Sequence, residues 1–236
     1  MNKYLNKQFS LFCIFHFFVF SCLLGQSPSN IKGNWLMFFN QTRLHKNWSI
    51  HSEVQYRSYE IIPNTDQLLL RGGLNYHFNS LAFASIGYAN VTNYAFDKEQ
   101  MPGAQVSENR TWQQFFIKNN LGRCFFDHRY RLEQRWIQAN NSNRYLDRIR
   151  YSLRVTIPIN KKEMVKNTFF VSFYNELFIH FTATPLDRNR LYGAIGYHFL
   201  KNANIQIGYL AQTVGQTTRQ YFQTAIFYNI DFRKQP

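Results

Sequence analysis

The chain has 236 residues, a formal net charge of +14 and an aromatic content of 18%. Its mean hydropathy of −0.40 excludes a bundle of transmembrane helices, which would need several long apolar runs. A β-barrel tolerates this value because only alternate residues of its strands must be apolar. The aromatic content favours strands and the aromatic bands of membrane interfaces. A soluble all-β sandwich or a lipocalin-like barrel is the alternative.

The N-terminus predicts a secretory signal peptide over residues 1–25. Two lysines precede an apolar run from Phe9 to Gly25, which is too short for a comfortable spanning helix. Cleavage after Gly25 would leave one domain over residues 26–236. The alternative is a lipoprotein signal, because Val19–Cys22 approximates a lipobox and Cys22 would then carry the lipid.

After residue 25, strand-like stretches alternate with turn-rich ones. They lie at 34–44, 47–60, 66–79, 81–95, 106–119, 123–138, 143–157, 168–180, 188–200, 203–213 and 219–232. Most are longer than the strands of soluble proteins and fit membrane strands of about 9–11 residues with extensions. Their connections alternate between short and long, which is typical of short periplasmic turns and longer extracellular loops. Two connections break the alternation, at 158–167 and 213–218.

The number of stretches is odd, whereas single-chain bacterial barrels normally have an even number of strands. We therefore expect ten or twelve strands. Residues 26–33 would add a twelfth strand, or 34–44 would lie outside the ring and leave ten.

A weak internal repeat supports a barrel of repeated hairpins. Tyr76 and Tyr88 recur as Tyr197 and Tyr209, in both cases 121 residues later. The residues around them are similar, and each pair flanks a predicted turn. Two similar hairpins are expected in an up-and-down barrel.

Between Asp147 and Ile157 the side chains divide by parity. Arg148, Arg150 and Arg154 lie on one face of the predicted strand, and the residues of opposite parity are apolar. An arginine on the lipid face would cost about 2–4 kcal/mol at the membrane midplane, so we predict that the arginines line a lumen. The predicted lipid face carries the opposite set: Trp48, Ile50, Val54, Tyr56, Leu74, Tyr76, Phe78, Ile86, Tyr88, Tyr130, Leu132, Trp136, Ile149, Tyr151, Leu153, Val155, Ile157, Phe169, Val171, Phe173, Ile195, Tyr197, Phe199, Ile226, Tyr228, Ile230 and Phe232.

The predicted lumen contains nine arginines and three glutamates as candidate site residues. The arginines, as candidate anion ligands, are Arg57, Arg71, Arg129, Arg131, Arg135, Arg148, Arg150, Arg154 and Arg190. Their candidate ion-pair partners are Glu53, Glu133 and Glu176. If all arginines are paired, the lumen is a packed structural core. If some are left unpaired, as the excess over glutamate indicates, they would bind small anions such as phosphate or carboxylate groups.

Short motifs follow one another in a fixed order over most of the mature chain: Glu53–Arg57, Trp112–Gln114, Arg131–Arg135, Arg148–Tyr151, Asn175–Phe178, Asp187–Tyr192, Gly196–Tyr197 and Gly208–Leu210. In this order they resemble the domain-of-unknown-function 2490 family of predicted outer-membrane barrels. The resemblance implies secretion and a barrel fold. It implies no established activity and supplies no catalytic residues.

The sequence predicts a protein that is not an enzyme. Small barrels that hydrolyse lipids carry a histidine and a serine two residues apart, and here the closest case is His51 followed directly by Ser52, on opposite faces of one strand. A lipid acyl hydrolase is the alternative. Scattered histidines and Cys124, the one cysteine of the mature chain, predict no metal, no cofactor and no internal disulfide.

The sequence therefore predicts an all-β fold, an antiparallel up-and-down transmembrane β-barrel of about 10–12 strands. We expect it in the outer membrane of a Gram-negative cell, reached through the periplasm, with outer-membrane lipid and small anions as partners. Arginines inside strands, rather than in clusters or tails, indicate no nucleic-acid partner. The expected role is porin-like binding or passage of small anions, or a structural one. The alternatives are the lipid hydrolase and a soluble lipocalin-like ligand-binding barrel.

Overall fold

The computed structural model describes residues 28–61, 64–96, 105–139, 142–181 and 185–233. The predicted signal peptide lies outside these residues. The described chain forms β1 Pro28–Arg43, β2 Trp48–Ser58, β3 Thr65–His77, β4 Ala82–Tyr94, β5 Gln105–Leu121, β6 Cys124–Ala139, β7 Ser142–Pro158, β8 Thr168–His180, β9 Leu186–Leu200, β10 Ala203–Val214 and β11 Thr217–Asp231. In this part of the chain, no helix is long and apolar enough to cross a membrane.

The strands form one closed barrel in which each strand pairs with its neighbours in sequence. The predicted all-β barrel is therefore confirmed. The expectation of an even strand count is wrong, because the described residues close the ring with eleven strands and β1 is part of it. An odd number makes β1 and β11 run in the same direction, so the closing pair is parallel, with Trp35 opposite Gln223. All other pairs are antiparallel.

The barrel has two distinct ends. One end, which we call the turn end, contains the connections 44–47, 78–81, 122–123, 159–167 and 201–202, and β11 also ends there. We call the loop end the opposite one, with connections 59–64, 95–104, 140–141, 181–185 and 215–216. The predicted exceptions are real, since 159–167 is long and 215–216 is a tight turn. Gly122 and Gly215 have φ of 58° and 56°, the left-handed backbone that two-residue hairpin turns require.

The outer face of the barrel is mainly apolar, with polar hydrogen bonds on β4, β5 and β6 that join Asn90 to Asn109 and Gln134 to Thr111 and Gln113. The residues predicted for the lipid face are exposed or half-buried, and none of them is buried inside. An aromatic pair stands near each end of this face. At the turn end, the rings of Trp48 and Tyr76 lie 4.9 Å apart, and near the loop end those of Trp136 and Tyr145 lie 5.5 Å apart.

The inner face is close-packed where aromatic rings lie on glycines. Gly73 faces Gly87 across β3 and β4, and a Cβ at Gly73 would lie 2.6 Å from Cζ2 of Trp112. The same register recurs in the second copy of the repeat, where Ala194 faces Gly208 across β9 and β10. The two similar hairpins predicted from the sequence are therefore present with equivalent pairing.

Candidate functional site

The structure places all twelve predicted site residues inside the barrel. Ten are buried, and Arg129 and Arg154 are half-buried. Seven of the nine arginines have a described carboxylate oxygen within 4.0 Å: Arg71, Arg129, Arg131, Arg135, Arg148, Arg150 and Arg190. Within the described chain, Arg57 and Arg154 have none. The lumen is thus mainly an ion-paired core, with two exceptions.

Glu133 is the centre of this core and is fully buried. Arg148 donates to it from Nε at 2.8 Å, and Arg150 donates from Nη1 at 2.6 Å. Arg131 and Arg71 each hold a guanidinium nitrogen 3.6 and 3.7 Å from the same carboxylate. One carboxylate therefore serves four arginines. This arrangement keeps a buried charge paired, as a low-dielectric interior requires.

A chain of ion pairs crosses the lumen. Arg71 on β3 holds Glu53 on β2, with 2.8 Å between Nη1 and Oε2. It also reaches Glu133 on β6, although β4 and β5 stand between β3 and β6 in the barrel wall. Arg150 then joins Glu133 to Glu176, at 2.6 Å from each carboxylate. Side chains from β2 to β8 therefore bridge the lumen at this level.

A second ion-paired cluster contains two residues that the sequence analysis did not assign to the lumen. Glu108 accepts a hydrogen bond from Nη2 of Arg110 at 2.9 Å and from Nη2 of Arg135 at 3.0 Å. All three side chains are buried. Glu108 and Arg110 have the parity of Trp112, which also points inward, so the same parity argument applied to β5 would have found them.

Asp187 joins the network through an irregularity that no parity argument could find. The β8–β9 register shifts between Phe178 and Ile179, so Asp187 has no opposite residue on β8. At this shift its carboxylate lies 3.1 Å from Arg148 and 3.0 Å from Arg188. A strictly alternating strand would have put Asp187 on the same face as the exposed Leu191.

The ring of Phe178 collects guanidinium groups inside the barrel. It is fully buried, and Arg150 and Arg190 lie over it with Cζ at 4.3 and 4.6 Å from the ring centroid. Arg148 and Arg188 lie at 5.0 and 5.5 Å. Cation–π contacts stabilise cations that are removed from water. The ring of Phe178 thus helps to stabilise these arginines, which outnumber the carboxylates inside the barrel.

The second group of arginines surrounds Trp35 toward the loop end, and we call Trp35, Arg57 and Arg190 the Trp35 site. Cζ of Arg57 and of Arg190 lie 3.8 and 4.9 Å from the Trp35 ring. The two guanidinium carbons are therefore at most 8.7 Å apart, the sum of these distances. Arg57 donates one hydrogen bond, to Oε1 of Gln55 at 2.5 Å.

Two donors of the Trp35 site are buried without an acceptor among the described residues. They are Nε of Arg57 and Nε1 of Trp35. Of the two arginines of this site, Arg190 alone forms a described ion pair, with its Nη1 3.6 Å from Glu176. Buried donors without acceptors cost free energy, typically 1–3 kcal/mol each and more for charged groups. The Trp35 site therefore has the donors and the positive charge that an anion would satisfy.

Arg154 is the other arginine without a carboxylate partner in the described chain. Asp127 lies opposite it in the β6–β7 register but no ion pair within 4.0 Å forms. Its Cζ lies 5.4 Å from the ring of Tyr174 and 5.8 Å from that of Phe227. Phe227 belongs to β11, so this contact also crosses the lumen.

A buried polar cluster lies inside the barrel at the turn end, and the sequence analysis did not predict it. Oγ of Ser49 lies 2.8 Å from Nε2 of His77. Ser49 also accepts hydrogen bonds from Nδ2 of Asn75 at 2.9 Å and Nε2 of Gln41 at 3.0 Å. The contacts join three strands, so residue spacing along the chain could not reveal them. Ser49 is fully buried.

The remaining histidines and cysteine form no metal site in the described chain. No group of three or more His, Cys, Asp or Glu there could hold a metal ion. His51 bonds to Glu53 at 3.1 Å inside the barrel, whereas its neighbour Ser52 is exposed outside. Cys124 is a free, half-buried thiol at the start of β6.

Comparison with known proteins gives a family and no activity. No curated protein and no solved structure matches the chain at a significant level. The family model described as "Protein of unknown function (DUF2490)" matches residues 32–223. This range includes the Trp35 site and all the ion pairs of the lumen. Since the match covers most of the chain, the protein belongs to the DUF2490 family.

Proposed function

We propose that this protein is an integral outer-membrane β-barrel that binds small anions at the Trp35 site and has no enzymatic activity. The observation that carries the proposal is Arg57, a buried arginine beside a second arginine, with no carboxylate partner in the described chain. The anions that fit are small and oxygen-rich, such as inorganic phosphate or carboxylates.

The distribution of polarity supports the membrane placement. A soluble lipocalin-like barrel encloses a ligand cavity and faces water, so its outer face should be polar. Here the interior carries the arginines and glutamates, and the exterior exposes large apolar residues such as Ile86, Ile195 and Ile207. The strands are 11–17 residues long, enough to cross a bilayer with a tilt. The aromatic pairs near both ends fit the interfacial bands of membrane barrels.

The charge balance supports the binding of anions. The described lumen contacts involve eleven arginines and five carboxylates. At the Trp35 site two of these arginines share one aromatic ring, and Arg57 forms no ion pair within 4.0 Å in the described chain. An anion between them would accept from planar guanidinium groups, the geometry that arginine offers to phosphate and carboxylate.

The interior favours binding over passage. The ion pairs from Glu53 to Glu176 bridge the lumen, and Arg154 reaches from β7 to Phe227 on β11. Narrow barrels with an interior filled in this way are closed by their own side chains. We therefore expect anions to enter from the loop end and to stop at the Trp35 site.

Calorimetric titration of the detergent-folded protein with inorganic phosphate tests the proposal. We expect saturable binding that Arg57→Gln weakens at least about tenfold, since hydrogen bonds to charged groups contribute about 1.5–3 kcal/mol. Arg154→Gln is the matched control, because Arg154 also has no carboxylate partner in the described chain but lies toward the turn end. Equal phosphate affinity in the wild type and both variants would refute an anion site at Arg57.

A lipid acyl hydrolase is a second candidate, which the contact between Ser49 and His77 favours. A histidine that accepts the proton of a serine hydroxyl is the arrangement of an activated nucleophile. Against it, Ser49 is fully buried, and two amide groups donate to its oxygen. An acyl substrate would have to displace them. We therefore assign the cluster a structural role.

A further inference from the structure

At the turn end, each of the five hairpins exposes an aliphatic side chain, either in its turn or at the strand residue just before it. These are Leu44, Leu81, Leu121, Ile159 and Leu200, which are between 42% and 55% exposed. Phe232, just after β11, is more exposed still. They belong to different hairpins and therefore form a ring around the end of the barrel. Such a ring places apolar side chains at the depth where a bilayer passes from acyl chains to headgroups.

The turn end, counted over its connections and the neighbouring strand residues, also carries a surplus of positive charge. The described turn-end residues include nine cations: Arg43, Lys46, Lys118, Arg123, Lys161, Lys162, Lys166, Lys201 and Arg233. They include three carboxylates: Asp127, Glu163 and Asp231. Outside the lumen network, the described loop-end residues are close to balance, with Arg144 and Arg219 against Glu60, Asp66 and Asp147. Among the described residues outside the lumen, the surplus of positive charge therefore lies at the turn end.

Two of these cations shape the longest turn. Arg123 donates from Nη2 to the carbonyl oxygens of Pro158, Ile159 and Lys161, at 2.8, 2.9 and 2.7 Å. Nζ of Lys161 donates to the carbonyl oxygen of Lys166 at 2.6 Å. The segment from 158 to 167 is thereby folded into an ordered turn. The side chains of its other two lysines, Lys162 and Lys166, are exposed.

Four exposed lysines keep their ammonium groups free of any partner within the described chain. They are Lys46, Lys162, Lys166 and Lys201, which we call the lysine collar. They lie on three of the five turns, beside Leu44, Ile159 and Leu200. Lysine next to an exposed aliphatic residue is the pattern of a side chain that extends to lipid phosphates while its neighbour enters the acyl region.

We propose that the lysine collar binds the phosphodiester headgroups of anionic phospholipids in the leaflet at the turn end. The inference rests on the membrane placement proposed above, but is independent of the Trp35 site. Near a membrane surface, one lysine contributes roughly a fivefold preference for an anionic lipid. The collar gathers several lysines at one level, so phosphatidylglycerol should be enriched around this end of the barrel.

Two outward-facing tryptophans allow each leaflet to be probed separately. Trp48 begins β2 at the turn end, and Trp136 lies near the loop end of β6. Trp136→Phe leaves Trp48 as the outer reporter, and Trp48→Phe leaves Trp136. Trp35 and Trp112 are buried in the lumen and give both proteins the same background. Each protein is inserted into phosphatidylcholine vesicles with a fixed share of brominated phosphatidylglycerol or brominated phosphatidylcholine, and quenching is compared.

We expect the brominated anionic lipid to quench Trp48 more strongly than the brominated neutral lipid, with a relative affinity of at least about fivefold. It should quench Trp136 no more than the neutral lipid does. The variant K46Q/K162Q/K166Q/K201Q should lose the preference, and R144Q/R219Q at the loop end should keep it. Heat-modifiable gel mobility checks that every variant is folded.

Equal quenching of Trp48 by the two lipids, or an unchanged preference in the lysine variant, would overturn the collar alone. Absence of quenching by either lipid in the folded protein would overturn the membrane placement and the collar with it. A preference that appears equally at Trp136 would show general attraction to a basic protein and would also overturn the collar. High salt should reduce the preference at Trp48, because screening weakens contacts at an exposed surface.

Discussion

Arg71 reaches across the barrel to Glu133, with 3.7 Å between Nη2 and Oε1. Two further strands separate them along the wall, so the contact exists only because the barrel is narrow and closed. It joins the ion pair at Glu53 to the arginines around Glu133 and Glu176. The ion pairs from Glu53 to Glu176 therefore form one connected network rather than a set of pairs along neighbouring strands, with the cluster at Glu108 beside it.

Glu133→Gln should destabilise the barrel strongly. It removes the carboxylate that serves four arginines and leaves their charges buried, a loss for which about 3–5 kcal/mol is typical. Urea unfolding in lipid vesicles, followed by tryptophan fluorescence, measures the free energy. Glu60→Gln, an exposed carboxylate at the loop end, is the control and should change it by less than about 0.5 kcal/mol. A Glu133→Gln barrel as stable as the control would contradict the assignment of Glu133 as the centre.

Gly73→Ala should destabilise the barrel, whereas Gly72→Ala should not. The added methyl at Gly73 would lie 2.6 Å from the Trp112 ring, and at Gly72 the nearest atom would be 3.9 Å away. Overpacking of this kind costs about 1–3 kcal/mol. The two glycines are neighbours on opposite faces of β3, so replacement by alanine changes the strand propensity equally at both positions. Equal unfolding free energies would mean that Trp112 does not pack on the inner wall as described.

The outline of the fold could be predicted because alternation is a local signal. The arginines of β7 fix which face is inside, and the strand boundaries then agree with the predicted ones within a few residues, apart from a longer β1. The parallel closure of β1 on β11 could not be predicted, since no residue pattern specifies how a ring closes. The contact of Asp187 with the lumen arginines could not be predicted either. The shift in the β8–β9 register breaks the alternation of inward and outward side chains at this residue.

The candidate site was predictable in composition but not in pairing. Parity selected Arg57 and Arg154 together with seven other arginines, and gave no reason to separate them. Whether an arginine is paired depends on which carboxylates the curvature of the barrel brings within reach, as it brings Glu133 to Arg71. Trp35, which carries the site, was missed because an aromatic residue in a strand fits either face of a membrane barrel.

Asp187→Asn should strengthen phosphate binding at the Trp35 site. The substitution removes a negative charge 3.0 Å from Arg188, on the strand that also carries Arg190, and so raises the positive potential at the loop end. We expect a gain of roughly twofold to tenfold, opposite in sign to Arg57→Gln. Asp127→Asn at the turn end is the control and should leave the affinity unchanged. A loss of affinity in Asp187→Asn would place the site elsewhere.

Ser49→Ala should leave any lipid turnover of the purified protein at its background value. The hydroxyl of Ser49 forms hydrogen bonds with Gln41, Asn75 and His77. Its removal should therefore lower the unfolding free energy by about 1–3 kcal/mol. Release of fatty acid from phospholipid vesicles measures the first quantity, and urea unfolding measures the second. Turnover in the wild type that disappears in Ser49→Ala would establish the hydrolase in place of the structural role.

Conductance across a planar bilayer tests most directly the central claim, a membrane barrel whose lumen is closed by its own ion pairs. The wild type should insert without a steady open conductance. The variant E53A/R71A, which removes one opposite pair and keeps the net charge, should conduct because the bridge from β2 and β3 is gone. Heat-modifiable mobility confirms that both are folded. Steady conductance in the wild type, or a folded variant that stays silent, would contradict the account.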